Sequence, residues 1–255
     1  MITTPLLILC LVAFLAGFVD AIVGGGGLLQ IPAAIVLFPG IPVATMIGTT
    51  KIPSFCGTSM AAMQYSRQVT LNYKHLGLMA AIASVAAFSG SRVLTLVSND
   101  FMKPLLLVVL TAVAIYTYTK KNFGVHTEQE HSERSHLIYI VLIALVIGFY
   151  DGFIGPGSGS FLILTFITLL GFDFLKASAT AKFVNLATNT GSIILFAASG
   201  KIIYGIALPM AACNAAGGFL GAKLAILKGN KFIRIFFLSL VVVMIVRFGY
   251  DIFWK

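Results

Sequence analysis

The stretch GFVDAIVGGGG at Gly17–Gly27 returns as GFYDGFIGPGS at Gly148–Ser158, a shift of 131 residues. The same shift carries Thr49 onto Thr180, Lys51 onto Lys182, Tyr73 onto Tyr204, Gly90 onto Gly221, Asn99 onto Asn230 and Phe101 onto Phe232, without a gap. From Gly17 to Leu107, 18 of 91 positions are identical to their partners. Shared apolar composition accounts for part of that count, but not for matched Asp, Lys and Asn positions. The expectation is an internal duplication, a feature that decides the architecture before any single element is assigned.

What surrounds the repeated stretch sets the class. The 255 residues are 59% hydrophobic and 10% charged, with a mean hydropathy of +1.01. Soluble domains carry about a quarter charged residues, so a water-soluble globule is excluded. Hydropathy marks segments at about 6–23, 28–38, 43–64, 76–97 and 104–119, then at about 137–154, 160–171, 175–198, 202–227 and 232–253. Long apolar runs are the mark of membrane-spanning helices, whereas a membrane β-barrel shows short alternating strands. The expected fold is an all-α polytopic membrane protein of two homologous repeats, residues 1–119 and 137–255. Each repeat has about five hydrophobic segments, four long and one short, for eight to ten transmembrane helices in all.

KKNFGVHTEQEHSERSH at 120–136 reads as a polar linker. Its His126, His131 and His136 share no face at five-residue spacing, so no metal site is expected there. The net charge of +9 reads as the cationic bias of cytoplasmic loops. No basic run is interleaved with aromatics, so nucleic acid is not an expected partner. Cys10, Cys56 and Cys213 lie in apolar runs without CxxC spacing and read as small core residues. MITTPLLILC lacks a charged leader region, so the first run is expected to be retained.

The segments at 28–38 and 160–171 rise only about 17–18 Å against a hydrocarbon core of about 30 Å. Both follow a glycine-rich break at the same place in their half. Paired short, Gly-interrupted segments point to a transporter's binding site. If all five segments of a half cross, the halves are inverted; if the short ones re-enter and four cross, the halves are parallel. Under five crossings, the loops at 65–75, 120–136, 171–176 and 223–234 share one side and hold ten Lys and Arg against five opposite. That bias favours five crossings and puts both termini outside.

Ionisable residues inside a membrane are costly and mark functional sites. Asp20 and Asp151 are the two acids within the apolar interior, and Lys51 and Lys182 are the deepest bases, each lysine 31 positions after its aspartate. The functional reading is a site for a small anionic substrate between the repeats. Ammonium groups would attract the anion. Hydroxyls and amides on the same segments would orient it: Thr49, Thr50, Ser54 and Thr58, then Thr180, Asn185 and Asn189. Glycine-rich turns entering a helix, with Gly24 and Gly26 in one half and Gly155 and Gly157 in the other, would lend N–H groups and a positive dipole end. No GK[ST] follows the first run, so it is not a Walker loop. Asp20 and Asp151 would serve coupling to a proton or other ion. The bland reading pairs each lysine with the aspartate of its own half as a helix-packing device, with glycines permitting close helix approach. Arg92 and Lys223 correspond across the repeats but lie near helix ends and read as snorkelling groups.

GFVDAIVGGGGLLQIP, IGTTKIPSFCGTSMAAMQYSRQ, GFYDGFIGPGSGSF and ATAKFVNLATNTGSIILFAASGKI resemble the TauE/SafE family of sulfite exporters, and its conserved-permease branch above all. The resemblance covers nearly the whole chain. It implies a multi-pass transporter of the bacterial inner membrane with repeated domains, for sulfite, sulfonates or related organosulfur anions. The two halves differ at Gly25–Gly27 against Pro156–Ser158, so a symmetric site is not implied.

The expected function is secondary transport of a small anion by alternating access between the repeats. The rival is an anion channel with a lysine-lined pore. An enzyme is not expected: there is no HExxH or GxSxG motif, and His75 is the sole histidine outside the linker. No ATP-binding motif and no cofactor are expected. Besides the substrate, the expected partners are the lipid bilayer, a proton or other coupling ion, and a second copy of the chain.

Overall fold

The computed structural model describes residues 3–98, 101, 102, 104, 105, 108 and 133–253. Among the described residues there are eight helices. They are α1 (Thr3–Val23), α2 (Gly26–Leu37), α3 (Val43–Ser66) and α4 (Tyr73–Leu96), then α5 (Glu133–Phe153), α6 (Ser158–Leu170), α7 (Phe174–Ala198) and α8 (Tyr204–Phe253). Most of the expected segment at 104–119, all but 104, 105 and 108, and most of the linker lie outside the described residues. The linker's last four residues, Glu133–His136, belong to α5. The two final expected segments are one helical run, broken at Gly229, where φ is 69° and ψ is −166°. The chain is an all-helical polytopic membrane protein.

Four stretches are long and apolar enough to cross a membrane: Thr4–Val23, Tyr73–Leu96, Ser135–Phe153 and Tyr204–Gly229. Their outer faces carry exposed Leu11, Val85, Val146 and Leu208, which suit acyl chains. Helices α3 and α7 have 24 and 25 residues, about 36 Å of rise, but carry many polar groups. They compensate by position. Thr49, Thr50 and Lys51 on α3, and Lys182, Asn185, Thr188 and Asn189 on α7, are all buried. A polar helix is tolerated at membrane depth when neighbouring helices surround it.

Local signals set the helix ends. The Asn72 carboxamide accepts from His75 N–H and starts α4, and the Asp173 carboxylate accepts from Lys176 N–H at 2.8 Å and starts α7. Gly171, in the left-handed region with φ 67°, ends α6, and Phe172 N–H returns to the Phe166 carbonyl.

The short helices turn back. Gly26, at the start of α2, lies against Ala16 and Asp20 of α1. Ala34, near the end of α2, shares a core cluster with Leu9 and Ala13, close to the start of α1. Helix α6 likewise doubles back on α5: the Tyr150 and Phe161 rings meet at 5.6 Å, and Leu170 and Ile140 line one cavity near the start of α5. With 12 and 13 residues, these limbs rise about 18–20 Å and stop short of a full crossing.

Helices α1 and α5 begin at opposite faces. Leu9 of α1 clusters with Met46 at the start of α3 and Ile206 at the start of α8. His136 of α5 instead meets His75, at the start of α4, beyond the far end of α3. The halves therefore run in opposite directions although the short helices re-enter. A count that treats a short segment as contributing no crossing overlooks that it is the return limb of a hairpin with the helix before it. Close helix contacts come in corresponding pairs: Gly221 packs on the Phe18 carbonyl and Gly90 on the Phe149 carbonyl, sites that the 131-residue shift exchanges.

Candidate functional site

Helix α1 ends at Val23 and α5 at Phe153, so Asp20 and Asp151 fall within the last turn of each. Carbonyls of a last turn have no intrahelical donor, and that end carries the negative pole of the helix. A buried cation is the natural partner for such an end. Lys51 Nζ donates to the Asp151 Oδ2 at 3.0 Å and to the Asp151 backbone carbonyl at 2.7 Å. Lys182 Nζ donates to the Asp20 Oδ2 at 2.9 Å and to the Asp20 backbone carbonyl.

Each lysine thus crosses to the aspartate of the other half. The bland reading, in which each lysine pairs with the aspartate of its own half, does not hold. The reason is that the oppositely directed halves interlock, which sets α3 beside the end of α5 and α7 beside the end of α1. The four charges neutralise one another in pairs, and neither ammonium stands free to draw in an anion unaided.

Between the pairs, the starts of the two short helices meet. Gly24 has φ 76°, and a Cβ there would lie 2.2 Å from the Gly159 carbonyl carbon. Only glycine satisfies both conditions. Ser160 N–H donates to the Gly24 carbonyl at 3.1 Å, and Ser160 Oγ donates to the Val23 carbonyl at 2.9 Å. These bonds satisfy backbone freed by the first break with groups from the second. The positive poles of α2 and α6 are brought to one layer with the two ion pairs.

A cavity of about 30 Å³ lies in this layer, room for a water or two. Of the sequence candidates, Asp20, Gly24, Thr50, Lys51, Ser54, Asp151, Gly155, Gly157, Asn185 and Asn189 line it. Thr49, Thr58, Thr180, Lys182 and Gly26 are not among its lining residues. Thr49 Oγ1 bonds to the Thr45 carbonyl at 2.7 Å and accepts from Ile203 N–H at 3.1 Å. Thr180 Oγ1 bonds to the Lys176 carbonyl at 2.8 Å and lines a different cavity. Gly26 N–H makes a long 3.4 Å contact with the Asp20 Oδ1. Lys182 is completely buried at 0% exposure, whereas its partner's carboxylate is 16% exposed.

The two pairs differ in one hydrogen bond. Ser158 Oγ donates to the Asp151 Oδ1 at 2.5 Å. The position equivalent to Ser158 is Gly27, which has no hydroxyl to give Asp20. Asp151 is consequently held on both oxygens by strong donors. Asp20 has one strong side-chain donor and the weak contact from Gly26.

Sequence reasoning missed a neighbouring amide network. Asn214 Nδ2 on α8 donates to the Gln30 Oε1 at 2.7 Å, and Gln30 Nε2 donates to the Thr50 carbonyl at 3.0 Å. Both amides are buried. Their equivalents under the shift are Ala83 and Phe161, so the network exists on one side only. The available signal was a carboxamide inside each of two apolar helices, where such groups act between helices. Tyr65, whose hydroxyl donates to the Ala21 carbonyl at 2.9 Å, was also missed. Arg92 and Lys223 are exposed. Among the described residues, no group of three or more His, Cys, Asp or Glu is placed to hold a metal ion.

The comparisons with known proteins bear on this assembly. The chain is 37% identical over 222 residues, 87% of its length and 84% of the relative's, to a protein of Sinorhizobium named "Probable membrane transporter protein ORF9". It is 34% identical over 251 residues, 97% of its length and 91% of the relative's, to "Probable membrane transporter protein YfcA" of Escherichia coli K12. A Haemophilus influenzae protein named "Probable membrane transporter protein" is 33% identical over 249 residues, 98% of the chain and 96% of that protein. No solved structure matches the chain. The family model described as "Sulfite exporter TauE/SafE" matches residues 9–248, and the chain belongs to that family of membrane transporters.

Proposed function

We propose that the protein is a proton-coupled secondary transporter of a small organosulfur anion, sulfite or a sulfonate, working by alternating access in the bacterial inner membrane. The observation that carries the reading is the pair of exchanged ion pairs where the two short helices meet. A neutral layer of this kind resists an anion on its own, because bringing in one negative charge leaves that charge uncompensated in low dielectric. Protonating one aspartate changes the balance. Its lysine then supplies a net positive charge, and a monoanion, a sulfonate or hydrogen sulfite, enters with the proton as a neutral set.

Asp20 is the coupling carboxylate in this reading, since it lines the cavity and lacks the hydroxyl that holds Asp151. Lys51 Nζ, the Asn185 and Asn189 amides and the Thr50 and Ser54 hydroxyls receive the anion's oxygens, and the starts of α2 and α6 add their dipoles. Lys182, which does not line the cavity, contributes its uncompensated charge through the low-dielectric layer without touching the anion. A four-atom oxyanion needs more room than about 30 Å³, so the described arrangement corresponds to a closed, unloaded state. Because the ion pairs bridge the halves, exchanging them for contacts to the anion loosens one half from the other, which is what alternating access requires. No chemical conversion of the substrate is involved.

The test is sulfite flux into proteoliposomes with and without an imposed pH gradient. The reading expects gradient-driven uptake at turnover below about a thousand per second. Uptake far above that rate with no response to the proton gradient supports the channel alternative. A folded protein that moves neither sulfite nor simple sulfonates refutes the substrate class.

A further inference from the structure

One cationic cluster lies outside the central layer. Where α4, α5 and α7 begin, a cavity of about 160 Å³ is lined by Asn72, His75, His136, Lys176 and Thr180, with Met79 and other apolar side chains. The His75 and His136 rings stand 5.4 Å apart, each from the first turn of its own helix. The Lys176 ammonium, from the first turn of α7, is held over the Phe172 ring at 4.4 Å. The Asn72 Nδ2 lies 3.3 Å from His75 Nδ1.

This arrangement runs against helix electrostatics. Helix starts favour acidic residues and disfavour basic ones, yet three converging helix starts each present a basic residue, and of the three first turns only that of α5 contains an acid, Glu133. The titratable and charged groups on the segments that carry the imidazoles and Lys176 are Arg67 in the loop before α4, Lys74 on α4, Glu133, Arg134 and Tyr139 on α5, and Asp173 at the start of α7. Of the two acids, Asp173 is engaged in capping α7, and Glu133 opens α5 three residues before His136. Two neutral imidazoles attract an anion weakly, and two imidazoliums at this separation repel each other. An anion held in the cavity beside both rings offsets the repulsion, so binding and proton uptake favour each other.

We propose that this cavity is a staging site for a small sulfonate or related oxyanion, with an affinity that rises as the pH falls. Helix α7 connects it to the central layer: Lys176 and Thr180 line the upper cavity, while Asn185 and Asn189 line the lower one. The nine residues from Lys176 to Asn185 span about 14 Å. Staging rests on the transport reading; binding at the cavity does not.

The experiment is calorimetric titration of the purified full chain with methanesulfonate, whose charge is constant between pH 6 and pH 8. For a site that requires one imidazolium, binding is several-fold tighter at pH 6 than at pH 8. His75→Gln and His136→Gln abolish that dependence, and Arg92→Gln, at an exposed position near the other end of α4, retains it. A pH-independent affinity, an unchanged dependence in the histidine variants, or no measurable binding overturns the proposal. The same titration in nanodiscs separates the two sources of oxyanion. Equal binding with zwitterionic lipid and with phosphatidylglycerol supports a soluble anion, whereas loss with phosphatidylglycerol means a lipid phosphate fills the cavity and overturns it. Intact binding without flux in the proteoliposome assay removes the transport reading and leaves this site standing.

Discussion

Replacing Lys51 by Met removes the ammonium while keeping a flexible, similar-sized side chain, and it leaves the Asp151 carboxylate at 4% exposure with no counter-charge. At 3.0 Å and an effective dielectric of 20, the Coulomb attraction is about 5.5 kcal/mol before desolvation is subtracted. Breaking one partner of a buried pair typically destabilises by about 3–5 kcal/mol. Asp151→Asn strands the lysine in the same way and keeps an acceptor for the Ser158 hydroxyl. The double variant strands neither charge, and its loss should be about 0–2 kcal/mol. Thermal unfolding of the purified chain reads this directly. At about 2–4 °C per kcal/mol, each single variant falls by about 6–20 °C and the double recovers most of the loss. The control is Lys51→Met combined with Asp20→Asn, the pairing within one half. Those two changes touch different ion pairs, so their effects should add to within about 0.5 kcal/mol. Additive behaviour for Lys51 with Asp151, or strong coupling of Lys51 to Asp20, refutes the exchanged-pair geometry.

Three further outcomes follow from the same contacts. Gly24→Ala places a Cβ 2.2 Å from the Gly159 carbonyl carbon at a φ of 76°, and the chain should lose stability by more than the roughly 1–2 kcal/mol of left-handed strain alone, read as a shift in melting temperature beyond that of Gly200→Ala, which has a similar φ and open space. Asn214→Leu leaves the buried Gln30 Oε1 without its donor, a loss of about 1–3 kcal/mol, and Gln30→Leu combined with it should recover part of that in the same melt. Ser158→Ala takes one hydrogen bond from the buried Asp151 carboxylate, a loss of about 1–3 kcal/mol read in the same melt.

Most helices were legible because their cause is local. The ends of α1 and α5 were marked by the glycine runs, and the depth of Asp20, Lys51, Asp151 and Lys182 by the apolar runs around them. Pairing was not legible. A duplicated sequence offers Lys51 two aspartates in equivalent settings, and the choice between Asp20 and Asp151 is made by how the halves interlock, a property of no single segment. The same symmetry concealed that Lys182 is sealed off while Lys51 reaches the cavity. Ser158 was visible as a departure from the repeat, but its bond to Asp151 depends on the turn at Gly155–Gly157 bringing the hydroxyl back over the carboxylate. Gln30 and Asn214 lie 184 positions apart in sequence, and nothing in either neighbourhood names the other.

Counterflow of radiolabelled sulfite in proteoliposomes, comparing the wild type with the Lys51→Met, Asp151→Asn double variant, tests the central claim most directly. The double variant is expected to fold, so a loss of exchange reports on the site and not on the scaffold. The account predicts robust exchange in the wild type, accelerated by unlabelled sulfite on the far side, and at least a tenfold loss in the double variant at an unchanged fold. Exchange at the wild-type rate in the folded double variant would show that the anion's path does not run through the ion-pair layer, and would contradict the account.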